Sequence, residues 1–411
     1  MRTVRGMGVP SVKLVASYIF DWICIIAIAA VGGGWEYIYP YNRPFSPVNL
    51  DISYPFQHHE TIPTWLLVLV SLVAPAGIIF VVCMVFVPGP TASRGTPKAL
   101  IWRRKLWEWN IGWMGLALSL ATAFMITQGM KLVFGKPRPD LLSRCQPDLS
   151  LVSANIVNPV VSNVLGELTN NWVLVTSDVC TNPDRSRGGE LMDGFKSFPS
   201  GHASFSWAGL LYLTLFLASK FAVAIPFLPP RPYSTNPNHT SAIAPSNLKK
   251  QASMAFSKQE SSLSSFADEH VVPIRYQNAA PPVYTLILVL VPIGSAIYIC
   301  ASRFTDYRHF GFDLLFGSFI GITTAWFSFR FYHLPITRGA GWAWGPRSYD
   351  RAWGIGVGRG SYVGTEGWSK GGRSVTTRAG AINGRMNGQS NEGILQEERE
   401  NDVAASHHHA V

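Results

Sequence analysis

Six stretches of the chain, at residues 14–34, 65–87, 111–130, 205–228, 283–301 and 313–332, are apolar over lengths that cross a bilayer. The hydrocarbon core is roughly 30 Å thick and takes about 20 helical residues to span. Inside it every backbone polar group must be satisfied within the protein. These runs therefore predict an all-α, polytopic membrane protein with six transmembrane helices. Composition agrees, because 14% charged and 47% hydrophobic residues are too apolar a mixture for one soluble domain. The predicted organisation is a cytosolic N-terminus at 1–13, a six-span domain at 14–332, and a cytosolic tail at 333–411. The connection at 229–282 is rich in Pro, Ser and Asn and the tail in Gly, Arg and Ser, compositions that predict unstructured cytosolic segments without catalytic roles. The three consecutive histidines His407 to His409 read as a solvated tail end.

Charge sets the expected orientation. Arg94, Lys98, Arg103, Arg104 and Lys105 lie between spans two and three, whereas Glu36, Asp51 and Glu60 with only Arg43 lie between spans one and two. Short basic connections stay cytosolic, which places both termini in the cytosol and residues 131–198 in the lumen or exterior. The formal net charge of +10 flanks spans instead of forming a stripe, so it does not predict a nucleic-acid partner. The first span follows Arg2, Arg5 and Lys13 and contains Ala27-x-Ala29, features shared with a cleaved signal peptide, but its apolar run is longer than a signal core and predicts a retained helix. None of the five cysteines forms a C-x-x-C pair, so neither a zinc site nor a redox motif is predicted. Cys145 and Cys180 alone lie outside the spans, both on the predicted lumenal side, and are expected to pair.

Three polar clusters sit at span ends on that side: Lys131-x6-Arg138-Pro139, Pro199-Ser200-Gly201-His202 and Ser302-Arg303-x5-His309-x3-Asp313. The first alone would occur by chance in roughly one chain in 20 of this length, but all three together in something on the order of one in a million. Chance therefore does not account for them jointly. His309 and Asp313 are four apart where the sixth span begins, which predicts one helical face, with the carboxylate fixing the imidazole tautomer and leaving the other nitrogen as nucleophile. Lys131, Arg138 and Arg303 predict an anionic ligand, since guanidinium forks suit tetrahedral oxyanions and headgroup anchors would favour the opposite face. Ser200 and Gly201 open a helix whose free N–H groups suit phosphate oxygens, and His202 could give a proton to a leaving alkoxide. Taken singly, the His–Asp pair and the Ser–His turn are read more simply as an interfacial histidine beside a helix cap. Gly317-x3-Gly321 predicts close helix packing.

These residues resemble the three signature motifs of the type 2 phosphatidic acid phosphatase, or lipid phosphate phosphatase, superfamily, with every signature position matched. Flanks such as Arg138-Pro139-Asp140 and Asp306-Tyr307-Arg308-His309 are similar to fungal diacylglycerol pyrophosphate phosphatases. Phe310 departs from them, standing where close fungal relatives often carry a second histidine. The resemblance covers about residues 14–332 and implies the helical core shared with haloperoxidases. It further implies a metal- and cofactor-free phosphoenzyme mechanism: His309 attacks phosphorus, Asp313 orients it, His202 protonates the leaving oxygen, and Lys131, Arg138, Ser200, Gly201 and Arg303 hold the phosphoryl oxygens.

The expected substrates are membrane lipids, namely phosphatidate, lysophosphatidate or diacylglycerol pyrophosphate. Sphingoid-base or polyprenyl phosphates form the nearer alternative, because the motifs read the phosphate alone. A catalytically silent lipid-binding or transport protein is the alternative from another class, and the intact motifs argue against it. The expected location is a vacuolar, Golgi, ER or plasma membrane, with the site lumenal or extracellular. Nothing in the sequence fixes an oligomeric state.

Overall fold

A computed structural model describes residues 11–93, 96–157, 173–182, 189–227, 278–337, 339–347 and 352–355. Its long helices are α1 (Val12–Glu36), α2 (Thr64–Phe86), α3 (Lys98–Phe134), α4 (Gly201–Lys220), α5 (Leu286–Thr305) and α6 (Gly311–Tyr332). Among the described residues there are no strands, only isolated bridges such as Phe45 with Val175. The described residues between 16 and 344 form one compact unit, described below; the described residues 11–15, 345–347 and 352–355 belong to another.

Five of the six helices, all but α4, are long and apolar enough to cross a membrane. The fourth predicted span thus has the length but not the apolarity. Gly201, His202, Ser204, Ser206, Thr214 and Ser219 dilute α4, and most of its residues are buried by protein. A helix enclosed by α3, α5 and α6 has little need of a lipid-facing apolar surface. It also begins and ends earlier than residues 205–228, since Ser200 caps its start and Ala222 takes a positive φ of 54° just past its end. Conversely, α3 extends well beyond the predicted 111–130: its 37 residues make a rod roughly 55 Å long, which carries the basic run at Lys98–Lys105 on the same helix as Lys131.

The core lies where α2, α3, α4 and α6 meet, built from Ile79, Leu116, Leu120, Tyr212, Phe216 and Phe329. Gly317 and Gly321 allow the close approach of α6 to α4: a Cβ at Gly317 would lie 2.6 Å from the Ser200 carbonyl oxygen. α1 packs along α3 through the Tyr18–Trp107 ring contact and a hydrogen bond from Trp22 Nε1 to Asn110.

Each end of the bundle carries its own layer. At the end of Lys131 and His309, Phe45, Ile52, Leu141, Val175, Val179 and Phe195 form a small second core, and a disulfide joins Cys145 to Cys180 within it. At the other end the buried Lys220–Glu108 ion pair is enclosed by chain that the sequence assigned to the unstructured tail. Glu108 accepts the Ala343 N–H at 3.0 Å, Lys220 donates to the Gly341 carbonyl at 2.6 Å, and Trp107 Nε1 donates to the Trp344 carbonyl at 3.0 Å. Residues 334–337 and 339–344 are therefore part of the folded body, because a buried carboxylate and ammonium need every hydrogen-bond partner they can find. Of the expected unstructured regions, residues 229–277 with Asn238, residue 338, and residues 348–351 and 356–411 with His407 to His409 lie outside the described residues.

Candidate active site

All three sequence clusters come from helix ends. α3 stops at Gly135, whose φ of +52° is a left-handed cap with its N–H on the Lys131 carbonyl; a Cβ there would run into the Tyr41 carbonyl, so glycine is required. The chain then turns through Lys136 and Arg138, fastened by the Arg138 N–H to the Gly194 carbonyl at 2.8 Å. α4 starts at Ser200, whose hydroxyl accepts the Ala203 N–H at 3.4 Å, which puts Gly201 and His202 in the first turn. α5 delivers Arg303 in its last turn and α6 follows after five residues, with His309 in the link.

His309 is buried, and its Nδ1 lies 2.6 Å from the Ser197 carbonyl oxygen. A carbonyl can only accept, so Nδ1 carries the proton and Nε2 of the neutral ring keeps its lone pair. Burial, then the nearby Arg138 and Lys131 charges, hold this imidazole well below the ordinary histidine range.

Asp313 does not touch the imidazole. Its carboxylate accepts Ser197 Oγ at 2.6 Å, Lys136 Nζ at 2.7 Å and the Phe310 N–H at 3.2 Å. The expected four-residue helical spacing fails because His309 precedes the first helical residue, Gly311, while Asp313 sits in the first turn, where a carboxylate folds back on free N–H groups. Asp313 thus fixes the two residues that flank the histidine, Ser197 through its side chain and Phe310 through its backbone, and reaches His309 only through them.

Around His309 lies a cavity of about 460 Å³. Its lining combines four cations, Lys131, Arg138, Arg303 and Arg308, and three carboxylates, Glu36, Glu60 and Asp193, with His202 and His309 and with the apolar Leu67, Val68, Phe124 and Phe205. Gly201 lines it too, next to the lysine: a Cβ there would meet Lys131 Nζ at 3.2 Å. His202 donates through Nε2 to the Ile62 carbonyl at 3.1 Å, which leaves Nδ1 uncommitted. Six of the eight residues expected on chemical grounds therefore line one cavity, while Ser200 and Asp313 stand behind it as cap and support.

Carboxylates hold the arginines. Arg138 gives Nη2 to Asp193 at 2.6 Å and Nε to the Asp193 carbonyl at 2.8 Å. Arg303 gives Nη1 to Glu60 at 2.9 Å and Nη2 to Asp306 at 2.6 Å, and Arg308 reaches Glu60 at 3.1 Å. Burial alone would raise Asp193, but Arg138, Arg144, Lys131 and Arg308 together override it and hold its carboxyl well below the usual range. The Nε atoms of Arg303 and Arg308 are buried without an acceptor, and Lys131 makes no hydrogen bond or ion pair among the described residues. Buried donors left over in this way suit an oxyanion with several oxygens. Among the described residues, no group of three His, Cys, Asp or Glu side chains is placed to hold a metal ion.

Sequence reasoning passed over Arg308, Lys136, Ser197, Asp193 and Glu60. Arg308 adjoins His309 and Lys136 lies inside the first motif, so both were within reach of a closer reading. Ser197 and Asp193 precede the second motif without a pattern of their own. Glu60 is 243 residues from Arg303 in sequence, and no local signal marks it.

A neutral imidazole among four cations, at one end of a membrane helix bundle and in a cavity that apolar side chains also line, defines an integral-membrane enzyme that works on an oxyanion group. Residues 112–336, more than half of the chain, match the family described as the PAP2 superfamily; the chain belongs to that family and is a phosphatase. It is 27% identical over 79% of its length to a probable diacylglycerol pyrophosphate phosphatase 1 of Schizosaccharomyces pombe, covering 85% of that protein. It is also 25% identical over 84% of its length to lipid phosphate phosphatase 2 of Arabidopsis thaliana, covering 86% of it. Diacylglycerol pyrophosphate phosphatase 1 of Saccharomyces cerevisiae is 24% identical over 73% of this chain and is covered over 74%. No solved structure matches.

Proposed function

We propose that this chain removes phosphate from lipid phosphates, among them phosphatidate, lysophosphatidate and diacylglycerol pyrophosphate, through a phosphohistidine on His309. The observation that carries the reading is the tautomer of His309 in a cavity lined by both cationic and apolar side chains. The relatives' names, lipid phosphate and diacylglycerol pyrophosphate phosphatases, support the substrate class.

In this reading the Nε2 lone pair attacks phosphorus while the P–O bond to the lipid breaks and its electron pair leaves on the lipid oxygen. His202 enters the step as an imidazolium, with its Nε2–H on Ile62, and gives its second proton through Nδ1 to the departing oxygen, which leaves the ring neutral. Lys131, Arg138, Arg303 and the backbone at Gly201 hold the phosphoryl oxygens as charge builds. His202 then takes a proton from water, which attacks phosphorus, breaks the P–N bond and frees inorganic phosphate. The Ser197 carbonyl, held by Asp313, supports the Nδ1–H of His309 while that ring is positively charged. Leu67, Val68, Phe124 and Phe205 are placed to receive the start of an acyl chain. The site faces the lumen or exterior, a reading supported by the basic run at the far end of α3.

The test is phosphate release by the purified protein in detergent micelles across a panel of glycerolipid, sphingoid-base and polyprenyl phosphates. Four cations supply the charge stabilisation, so activity toward glycerolipid phosphates should persist in EDTA and be blocked by orthovanadate. An absolute requirement for Mg²⁺ would overturn the mechanism, release only from sphingoid-base or polyprenyl phosphates would reassign the substrate, and release from none would overturn the function.

A further inference from the structure

The cavity already contains an anion of its own. The carboxylate of Glu60 bridges two guanidinium groups, Oε2 to Arg303 Nη1 at 2.9 Å and Oε1 to Arg308 Nη2 at 3.1 Å. Two oxygens of one anion across two arginines is the arrangement a phosphoryl group would make at the same place. Among the described residues the Glu60 carboxylate has no other partner.

The neighbours of Glu60 are fastened independently of it. Thr61 donates its N–H and hydroxyl to Asp306 at 3.0 and 2.7 Å, the Ile62 carbonyl is held by His202, and the Gln57 carbonyl accepts from Arg308 at 2.9 Å. Tyr54 stacks on Tyr307 with ring centroids 4.8 Å apart. The segment 54–62 therefore stays seated when the Glu60 side chain lets go. Asp193 is the contrast, since its carboxylate also binds Arg144, which does not line the cavity, at 2.9 Å. That second anchor keeps Asp193 in place when an anion enters.

Resting on the phosphoryl-site reading above, we infer that Glu60 is a displaceable internal anion: it occupies Arg303 and Arg308 in the empty site, leaves them to an incoming phosphoryl group, and returns to compete inorganic phosphate off. Glu60 then adds to the compensation that Asp306 gives Arg303 and that Asp193, at 3.8 Å, gives Arg308, and the product is held more weakly than the cation cluster alone would hold it. Glu60 would thus set phosphate affinity and release without touching the reacting atoms.

The experiment is calorimetric titration of the full-length protein in micelles with inorganic phosphate and with orthovanadate. Glu60→Gln keeps the shape and removes the charge, so both anions should bind about tenfold more tightly than to the unaltered protein, within the roughly 5- to 150-fold range of coupled sites. Phosphate should become a more potent product inhibitor by a similar factor. Equal or weaker binding by Glu60→Gln, with the unaltered protein still binding, would overturn the role of Glu60. Absence of binding to the unaltered protein would overturn the phosphoryl site itself. A second measurement needs no variant: amidation of Glu60 by a carbodiimide and glycine ethyl ester, followed by peptide mass, should rise severalfold when orthovanadate frees the carboxylate. Unchanged or lower amidation would overturn displacement.

Discussion

One hydrogen bond, from His309 Nδ1 to the Ser197 carbonyl at 2.6 Å, decides which nitrogen can react, and its consequences are testable at single residues. The two histidines separate by leaving group, since a general acid matters only when the departing oxygen is basic. His202→Ala should lose most activity toward a lipid phosphomonoester yet still release nitrophenol from p-nitrophenyl phosphate, in a burst near one equivalent followed by slow turnover. His309→Ala should do neither. Rapid-mixing absorbance, with acid-labile phosphate measured on the protein, checks both; a burst in His309→Ala would reverse the assignment. The same ring should stay reactive in acid. Because burial and the Arg138 and Lys131 charges lower its pKa, carbethoxylation of His309 should keep its rate from pH 7.5 to 5.5, whereas N-acetylhistidine slows about tenfold over that interval. The unfolded chain takes up this proton below about pH 6.5 and the folded chain does not, so His309 withdraws stability as pH falls through that value. A tenfold loss of labelling at His309 would contradict the depressed pKa.

At the scale of elements, the site is a set of helix ends held in register by the layer above them. α3 contributes its last turn, α4 its first, and the link from α5 to α6 brings His309 between them. Arg144, from the short helix Leu141–Cys145, gives Nη2 to Asp140 and Nη1 to Asp193, and so ties the α3 exit to the segment before α4. The Cys145–Cys180 disulfide closes a sequence separation of 35 residues in the same layer. A loop of that size is worth roughly 3 to 4 kcal/mol in the chain-entropy model. Thiol labelling of denatured, unreduced protein should leave both cysteines unmodified, and Cys145→Ser with Cys180→Ser should lower the melting temperature while leaving α1 to α6 intact by circular dichroism. Labelling of both cysteines without reductant would exclude the pair.

Over the whole molecule the bundle has two unlike ends. One carries the cavity, the disulfide and the carboxylate–arginine network; the other carries the basic start of α3 and the Lys220–Glu108 pair capped by residues 339–344. If the basic end is cytosolic, the connection from α4 to α5 is cytosolic too, and Asn238 in the sequon Asn238-His239-Thr240 should carry no glycan. Glycosidase treatment should produce no mass shift. A shift that disappears in Asn238→Gln would invert the topology and put the cavity on the cytosolic side.

The sequence by itself determined the helices and the chemistry at their ends, because apolar length, caps and motif spacing are local properties. It placed Lys131, Arg138, Gly201, His202, Arg303 and His309 on one side of a helical membrane protein, and these residues do line one cavity. Only the tertiary structure decided what touches what. Asp313 supports Ser197 and Phe310, not the imidazole, because the helix starts two residues after His309. The span expected at 205–228 became α4, which starts and ends earlier and is less apolar over a membrane-crossing length than the other long helices because α3, α5 and α6 enclose it. Residues 339–344 fold because a buried Glu108–Lys220 pair takes up the backbone groups of Gly341 and Ala343. Glu60 meets Arg303 across 243 residues, a pairing fixed by packing, which leaves no trace in local sequence.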